Sequence, residues 1–200
     1  KYGADALRMS LVMGSTPGND IRLYDEKIQT FRNFTNKLWN VGRYVNNTII
    51  SAKDAASAVG QGFSSGEKNP KLETDADHWI LKKLKDVTEE VTQMLENYQF
   101  SLAGEKLKDF TWNEFADWYV EIHKIEKNDG ALIYIFETLL KLWHPFMPFV
   151  TEAIHQTFHP ETKKFLMAEH WPESISIKIK SDKANHFQCI IGIIQEIRTL

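Results

Sequence analysis

The chain has 200 residues, 42% of them hydrophobic and 26% charged, with 24 Lys+Arg against 27 Asp+Glu for a net charge of −3. At roughly 150 residues per domain this is one domain, or one with a small appendage, so a disordered tail is excluded, and no apolar run approaches the roughly 20 residues a membrane span needs. The near-balanced charge argues, taken globally, against a basic nucleic-acid binder, while the single Cys189 excludes an internal disulfide framework and fits a reducing compartment. The sequence starts at Lys1 without a signal-peptide pattern, and the terminal IIGIIQEIRTL stays amphipathic with no C-cap behind it, which reads as an excised piece of a longer chain.

In chain order, residues 4–13 form a short helix closed by Gly14 and the turn-rich STPGND. Residues 25–50 place Phe31, Phe34, Leu38, Val41, Val45 and Ile49 at three-then-four spacing, which predicts a long helix with Asp25 and Glu26 at its positive N-terminus. Residues 51–71 are small, polar and glycine-rich and read as a mobile surface connection. Thr74 caps a helix to about residue 98 carrying Ile80, Leu84, Val87, Val91 and Met94. A third long helix, 101–127, carries Leu107, Phe110, Phe115, Trp118 and Ile122, followed by a turn at 128–130. Residues 131–143 form a helix stopped at His144 and Pro145, since the residue before proline avoids the helical region, and 147–158 form a shorter one. Beyond it KKFLMAEHWPE reads as extended, SIKIK alternates as a short strand does, and a last helix begins near Ala184. The expected fold is mainly α: an antiparallel helical bundle over 25–160, a connector at 1–24, and a small, truncated α/β appendage at 161–200.

The helix at 25–50 has an unusual outer face. Opposite its apolar arc lie Arg32, Asn33, Asn36, Trp39, Asn40, Arg43, Asn46 and Asn47. Residues 27–53 hold five basic side chains and no Asp or Glu, leaving 19 basic against 27 acidic residues elsewhere, so a basic stripe sits on a moderately acidic body. An ordinary solvated face mixes both signs. Arginines hold phosphates, asparagines donate and accept at base edges, and a tryptophan offers a stacking plane, so Arg32, Asn33, Asn36, Trp39, Asn40 and Arg43 are candidate RNA contacts. The bland alternative is a solvated bundle helix that merely lacks acids. Asparagine is a mediocre helix former, however, and so many on one face argue for a demand beyond helix stability.

Other chemistry is thin. His155 and His159 are four apart, a metal-compatible spacing, but no third ligand accompanies them. Trp112 and Trp118 read as core residues with Asn113 and Asp117 hydrogen-bonded nearby, and His144 as a packed helix-end residue. No glycine-rich phosphate loop, nucleophile constellation or metal signature is present.

The segments YGADALR, GNDIRL and FRNFTNKLWN resemble the stretch of class I aminoacyl-tRNA synthetases that follows the catalytic Lys-Met-Ser-Lys-Ser loop, in wording closer to the valyl-tRNA synthetase family than to isoleucyl or leucyl relatives. WNEFADWYVEIHK at 112–124, LLKLWHPFMPFVTEAIHQ at 139–156 and HWPE at 170–173 resemble later segments of that family, in order. His155 departs from the pattern, where a tryptophan is common. The resemblance implies a helical anticodon-binding domain that docks the anticodon stem-loop of tRNA-Val, with FRNFTNKLWN falling on the acid-free helix. It also implies a cytoplasmic ligase that charges tRNA-Val with valine using ATP and Mg, in a catalytic domain absent from this sequence. The fragment alone is expected to hold no catalytic residue, cofactor or metal, to touch no membrane and to be inactive. Alternatives are a helical protein-interaction scaffold, or the equivalent domain of an isoleucyl or leucyl enzyme. A role for Arg22 of GNDIRL at the RNA or within the protein stays open.

Overall fold

The structure, a computed structural model, describes residues 1–15, 18, 20–59, 70–161, 164–172 and 177–199. The helices are α1 (Ala4–Val12), α2 (Asp25–Val59), α3 (Asp75–Glu96), α4 (Phe100–Asp109), α5 (Val120–Glu126), α6 (Asp129–Trp143), α7 (Pro148–Phe158) and α8 (Ser181–Thr199), with a 3-10 turn at Leu166–Ala168. Helices α2, α3, α6 and the rod made by α4 and α5 enclose one apolar core centred on Phe34, Leu84, Phe115, Phe136 and Trp143, all buried. Stacked or tilted rings link its layers, Phe115 on Phe136 at 6.0 Å and Phe136 on Phe158 at 5.8 Å between centroids. A mainly α bundle is therefore the observed fold.

Local chemistry explains most boundaries. Thr74 and Asp77 form a reciprocal capping box at the start of α3, Thr74 Oγ1 accepting from the Asp77 N–H at 3.2 Å while Asp77 accepts from the Thr74 N–H at 3.1 Å. Lys127, in the left-handed region at φ 53°, ends α5, and the Asn128 side chain accepts from Ala131 N–H to cap α6, so the expected turn at 128–130 is already the first turn of α6. Pro148 opens α7, where its missing N–H costs nothing.

Three expectations need correction. Helix α2 does not end at residue 50 but continues to Val59, because the alanine-rich SAKDAASAV is made of good helix formers as well as small residues; the rest of the expected connection, 60–69, lies outside the described residues. The rod from α4 to α5 is not one α-helix, since its middle ten residues, Phe110–Tyr119, are π-helical. The wider turn brings Phe110 and Phe115, five apart, onto one buried line. The C-terminal appendage shows no strand among the described residues. Alternation in SIKIK is real, with Ile177 and Ile179 partly buried against the core and Lys178 and Lys180 exposed, but no partner strand lies alongside. This strap is held instead by the Lys180 N–H donating to His78 Nδ1 at 3.2 Å. Ser176 is outside the described residues.

The ends are tied into the bundle. Helix α1 buries Ala6 and Met9 in the common core, as does Met13 just past its end, and α8 packs on α3 through Ala184, Ile191 and a Trp79 Nε1 to Gln188 Oε1 hydrogen bond of 2.8 Å. Among the described residues no helix is long and apolar enough to cross a membrane.

Candidate nucleic-acid interface

The apolar arc of α2 faces inward as its periodicity requires: Phe31, Phe34, Leu38, Val45 and Ile49 are buried and Val41 is partly so. The opposite ridge faces solvent except at Asn46, which is partly buried. Arg32, Asn33, Asn36, Trp39, Asn40 and Arg43 are all exposed, Trp39 at 40%, which is high for so large an aromatic ring. Arg32 and Arg43 make no ion pair or hydrogen bond with any described residue, so both guanidinium groups present all their donors to solvent. The structure thus brings the six sequence-predicted residues onto one surface.

The third basic residue of the stripe behaves differently. Lys37, on the flank, forms an ion pair with Asp117 at 2.6 Å and stands 3.6 Å over the Trp112 ring. Trp112 and Trp118, expected in the core, both sit at its rim, only partly buried. Each is covered by a cation, Trp118 by Arg198 of α8 at 5.0 Å, and Trp112 also stacks on Phe34 at 6.0 Å. Asn113 is exposed.

Tertiary packing adds what the linear pattern hides. On one side of the ridge, Asn33, Asn36 and Asn40 share a groove of about 460 Å³ with Tyr44, Asp117, Glu121 and Lys124, so carboxylates from the neighbouring rod border a face that is acid-free along α2 itself. On the other side, Trp39, Arg43, Asn46 and Asn47 meet Ile154, Thr157 and Phe158 of α7 around a pocket of about 110 Å³ that contains no carboxylate. Helix α7 comes this close because residue 42 is glycine: a Cβ there would stand 3.0 Å from Ile154.

Behind the first groove a chain of polar side chains fixes Tyr44. Its hydroxyl lies 2.9 Å from His123 Nδ1, and His123 Nε2 lies 3.0 Å from Asp129 Oδ1. Burial holds the His123 imidazole neutral, its pKa pushed below 6.5 although Asp129 opposes the shift. A neutral ring donating from Nε2 to Asp129 leaves Nδ1 to accept from Tyr44. Nothing in the sequence flagged these residues, which lie 79 and 6 positions apart.

The other candidates resolve simply. The His155 and His159 rings lie tilted at 52° with centroids 4.9 Å apart, burial pushes the His155 pKa down, and His159 Nε2 meets Glu137 at 3.0 Å. His144 Nδ1 meets Thr151 Oγ1 at 2.9 Å at the end of α6. Arg22 is exposed and pairs with no described residue. No group of three His, Cys, Asp or Glu gathers among the described residues.

The fold and this surface define a class: a helical bundle whose second helix turns a basic, amide-rich ridge outward, with Arg32 and Arg43 exposed. The comparisons give the family. Residues 77–200 match the anticodon-binding domain of tRNA ligase, and the chain belongs to that family. It is similar to the valine–tRNA ligases of Clostridium tetani (40% identity over 86% of this chain and 20% of that protein), Carboxydothermus hydrogenoformans (38%, over 100% and 22%) and Geobacillus stearothermophilus (34%, over 100% and 23%). The chain spans about a fifth of the length of these relatives. Among solved structures, the LeuRS of Agrobacterium radiobacter K84, crystallised in a ternary complex with tRNA and LeuAMS, superposes with a TM-score of 0.67 at 20% identity, over 92% of this chain and 20% of that one. That likeness shows a shared fold.

Proposed function

We propose that the chain reads the anticodon stem-loop of tRNA-Val as the non-catalytic part of a cytoplasmic valine–tRNA ligase. The observation that carries this reading is the ridge of α2, where Arg32 and Arg43 are exposed and unpaired beside Asn33, Asn36, Trp39 and Asn40. The guanidinium groups neutralise phosphates, the amides meet base edges or sugars, and Trp39 stacks on an unpaired base. Valine anticodons share an A and a C, which a selective reader contacts. ATP and Mg belong to the catalytic domain of the longer chain.

The test is binding of the tRNA-Val anticodon stem-loop as a function of salt. Reversing both charges, Arg32→Glu with Arg43→Glu, should abolish most of the affinity, and Arg43→Ala should lower the slope of log affinity against log salt by about 1 for every tRNA alike. Asn36→Ala or Asn40→Ala should narrow the preference for tRNA-Val by about 1–3 kcal/mol. A silent double reversal sinks the assignment, and equal binding of a DNA hairpin of the same charge would favour a protein-interaction scaffold instead.

A further inference from the structure

We infer that Lys37 is a positioning residue: through Asp117 and Trp112 it pins the asparagine row of α2 against the π-helical segment, and it does not itself hold the RNA. This rests on the RNA-binding reading of the ridge and separates Lys37 from the two arginines of the same basic stripe. Asn33, Lys37, Asn40 and Tyr44 follow one another at steps of four, three and four residues, so they form a single line along α2. Two members of that line are tied to the neighbouring rod. Lys37 Nζ donates to Asp117 Oδ1 at 2.6 Å and stands 3.6 Å over the Trp112 ring, and Tyr44 Oη lies 2.9 Å from His123 Nδ1. Asn40 sits between these two pins and Asn33 one turn before them, both exposed.

The clamp depends on the unusual backbone opposite. Trp112 and Asp117 are five residues apart in the π-helical stretch Phe110–Tyr119. In an α-helix, side chains five apart point about 140° away from each other, too far round the axis for one ammonium to meet both. The wider turn, closed by i→i+5 hydrogen bonds, brings them toward one face. Its register is held at both ends by buried bonds, Trp143 Nε1 to Thr111 Oγ1 at 2.9 Å and Tyr119 Oη to Asp77 Oδ1 at 2.7 Å. A fixed rod therefore offers Lys37 one defined seat. Apolar burial along the inner arc of α2 is non-directional and sets rotation about the helix axis only loosely, whereas directional polar pins on one line define it. That rotation decides where Asn33, Asn36 and Asn40 point, and all three open on the groove that Asp117 borders. The charge of Lys37 is satisfied within the protein, while Arg32 and Arg43 are exposed and pair with no described residue.

The experiment measures how the 200-residue chain binds two stem-loops of equal length across a salt series, the tRNA-Val anticodon stem-loop and one with a different anticodon. Their affinity ratio cancels any change in overall charge, because the electrostatic part of RNA binding is independent of sequence. Lys37→Met, which keeps the aliphatic stem over Trp112 but not the charge, and Asp117→Ala should each lower that ratio by about fivefold, and the double variant should lose no more than either alone. The slope of log affinity against log salt should stay at the wild-type value for Lys37→Met. Lys37→Arg, which keeps a cation over the ring and beside the carboxylate, should hold the wild-type ratio. Asp117 is exposed, so its truncation leaves no buried group unpaired, and circular dichroism with the thermal midpoint compares the folding of all variants. If Lys37→Met instead lowers the salt slope by about 1 for both loops while the ratio holds, Lys37 is a phosphate ligand and the inference is overturned. A ratio that holds while only the thermal midpoint falls overturns it as well, leaving a purely structural ion pair. In both cases the reading of the ridge stands if the Arg32/Arg43 reversal removes binding. If the wild type does not prefer the tRNA-Val loop, or that reversal is silent, both fail.

Discussion

Asp77 is the side chain on which most local structure depends. It is buried and accepts from Tyr119 Oη at 2.7 Å, Asn128 Nδ2 at 2.6 Å and the N–H groups of Glu73 and Thr74 at 2.9 and 3.1 Å. One carboxylate thereby caps α3, fixes the end of the π-helical segment and positions the cap of α6. Burial and this neighbouring carboxylate push the Tyr119 phenol far above its ordinary pKa, so it remains a donor at every accessible pH. Asp77→Ala leaves the Tyr119 hydroxyl without its acceptor and takes one of two acceptors from the Asn128 amide, which keeps the Lys71 carbonyl, and should cost about 3 kcal/mol or more, whereas Tyr119→Phe, which removes one charge-assisted bond and its donor together, should cost about 1.5 kcal/mol. Urea unfolding of the two variants checks the order; equal losses would mean that Asp77 acts through the Tyr119 bond alone. The sequence showed Thr74 as a cap but not this convergence, because Tyr119 and Asn128 lie 42 and 51 positions from Asp77.

At the scale of elements, helix starts and stops were legible where the signal was local and strong, as at the Thr74 cap and the stop before Pro145, whereas the Asn128 cap was read only as a turn. The cap of α7 was not local. Because Pro148 has no N–H, the first free donors are Phe149 and Val150, and both donate to Asp5 of α1, at 3.3 and 2.7 Å. Arg8 of the same helix donates to the carbonyls of Pro145 and Phe146. Helix α1 therefore holds α7 in place against Gly42, so that a residue far from the ridge shapes the pocket beside it. Asp5→Ala should destabilise the chain by about 1–2 kcal/mol, with Asp5→Asn costing less, because the amide oxygen still accepts while losing its attraction to the positive helix end. Denaturant midpoints at unchanged m-value measure both, and a loss confined to less than about 0.3 kcal/mol for Asp5→Ala would show the cap to be dispensable. The π-helical segment escaped the sequence reading for a related reason: a five-residue interval such as Phe110 to Phe115 is one gap among many in an α pattern, and only packing on α3 and α6 decides that the backbone widens to follow it.

For the whole molecule, the buried histidines set how stability varies with pH. His78, His123, His144 and His155 are all pushed below 6.5 chiefly by burial. Below that value the unfolded chain binds protons that the folded chain refuses, so stability is greatest above pH 6.5 and falls as pH drops toward the lowered folded values. Asp75, held below the ordinary carboxylate range by hydrogen bonds from His186 and Lys183, adds a loss only at more acidic pH. The urea midpoint at about pH 5.5 should lie below that at about pH 7.5, and His123→Gln, which keeps a donor and an acceptor, should flatten part of the difference; identical wild-type midpoints would contradict the assignment. The sequence alone determined the helical class, the inward face of α2 and the exposed basic ridge on its back, because three-and-four spacing and a run without acids are properties of a single helix. It could not determine what flanks that ridge. Whether a neighbouring helix brings Asp117 and Glu121, or Ile154 and Thr157, depends on which residues remote in the chain meet across the bundle, and that is settled by packing around the common core.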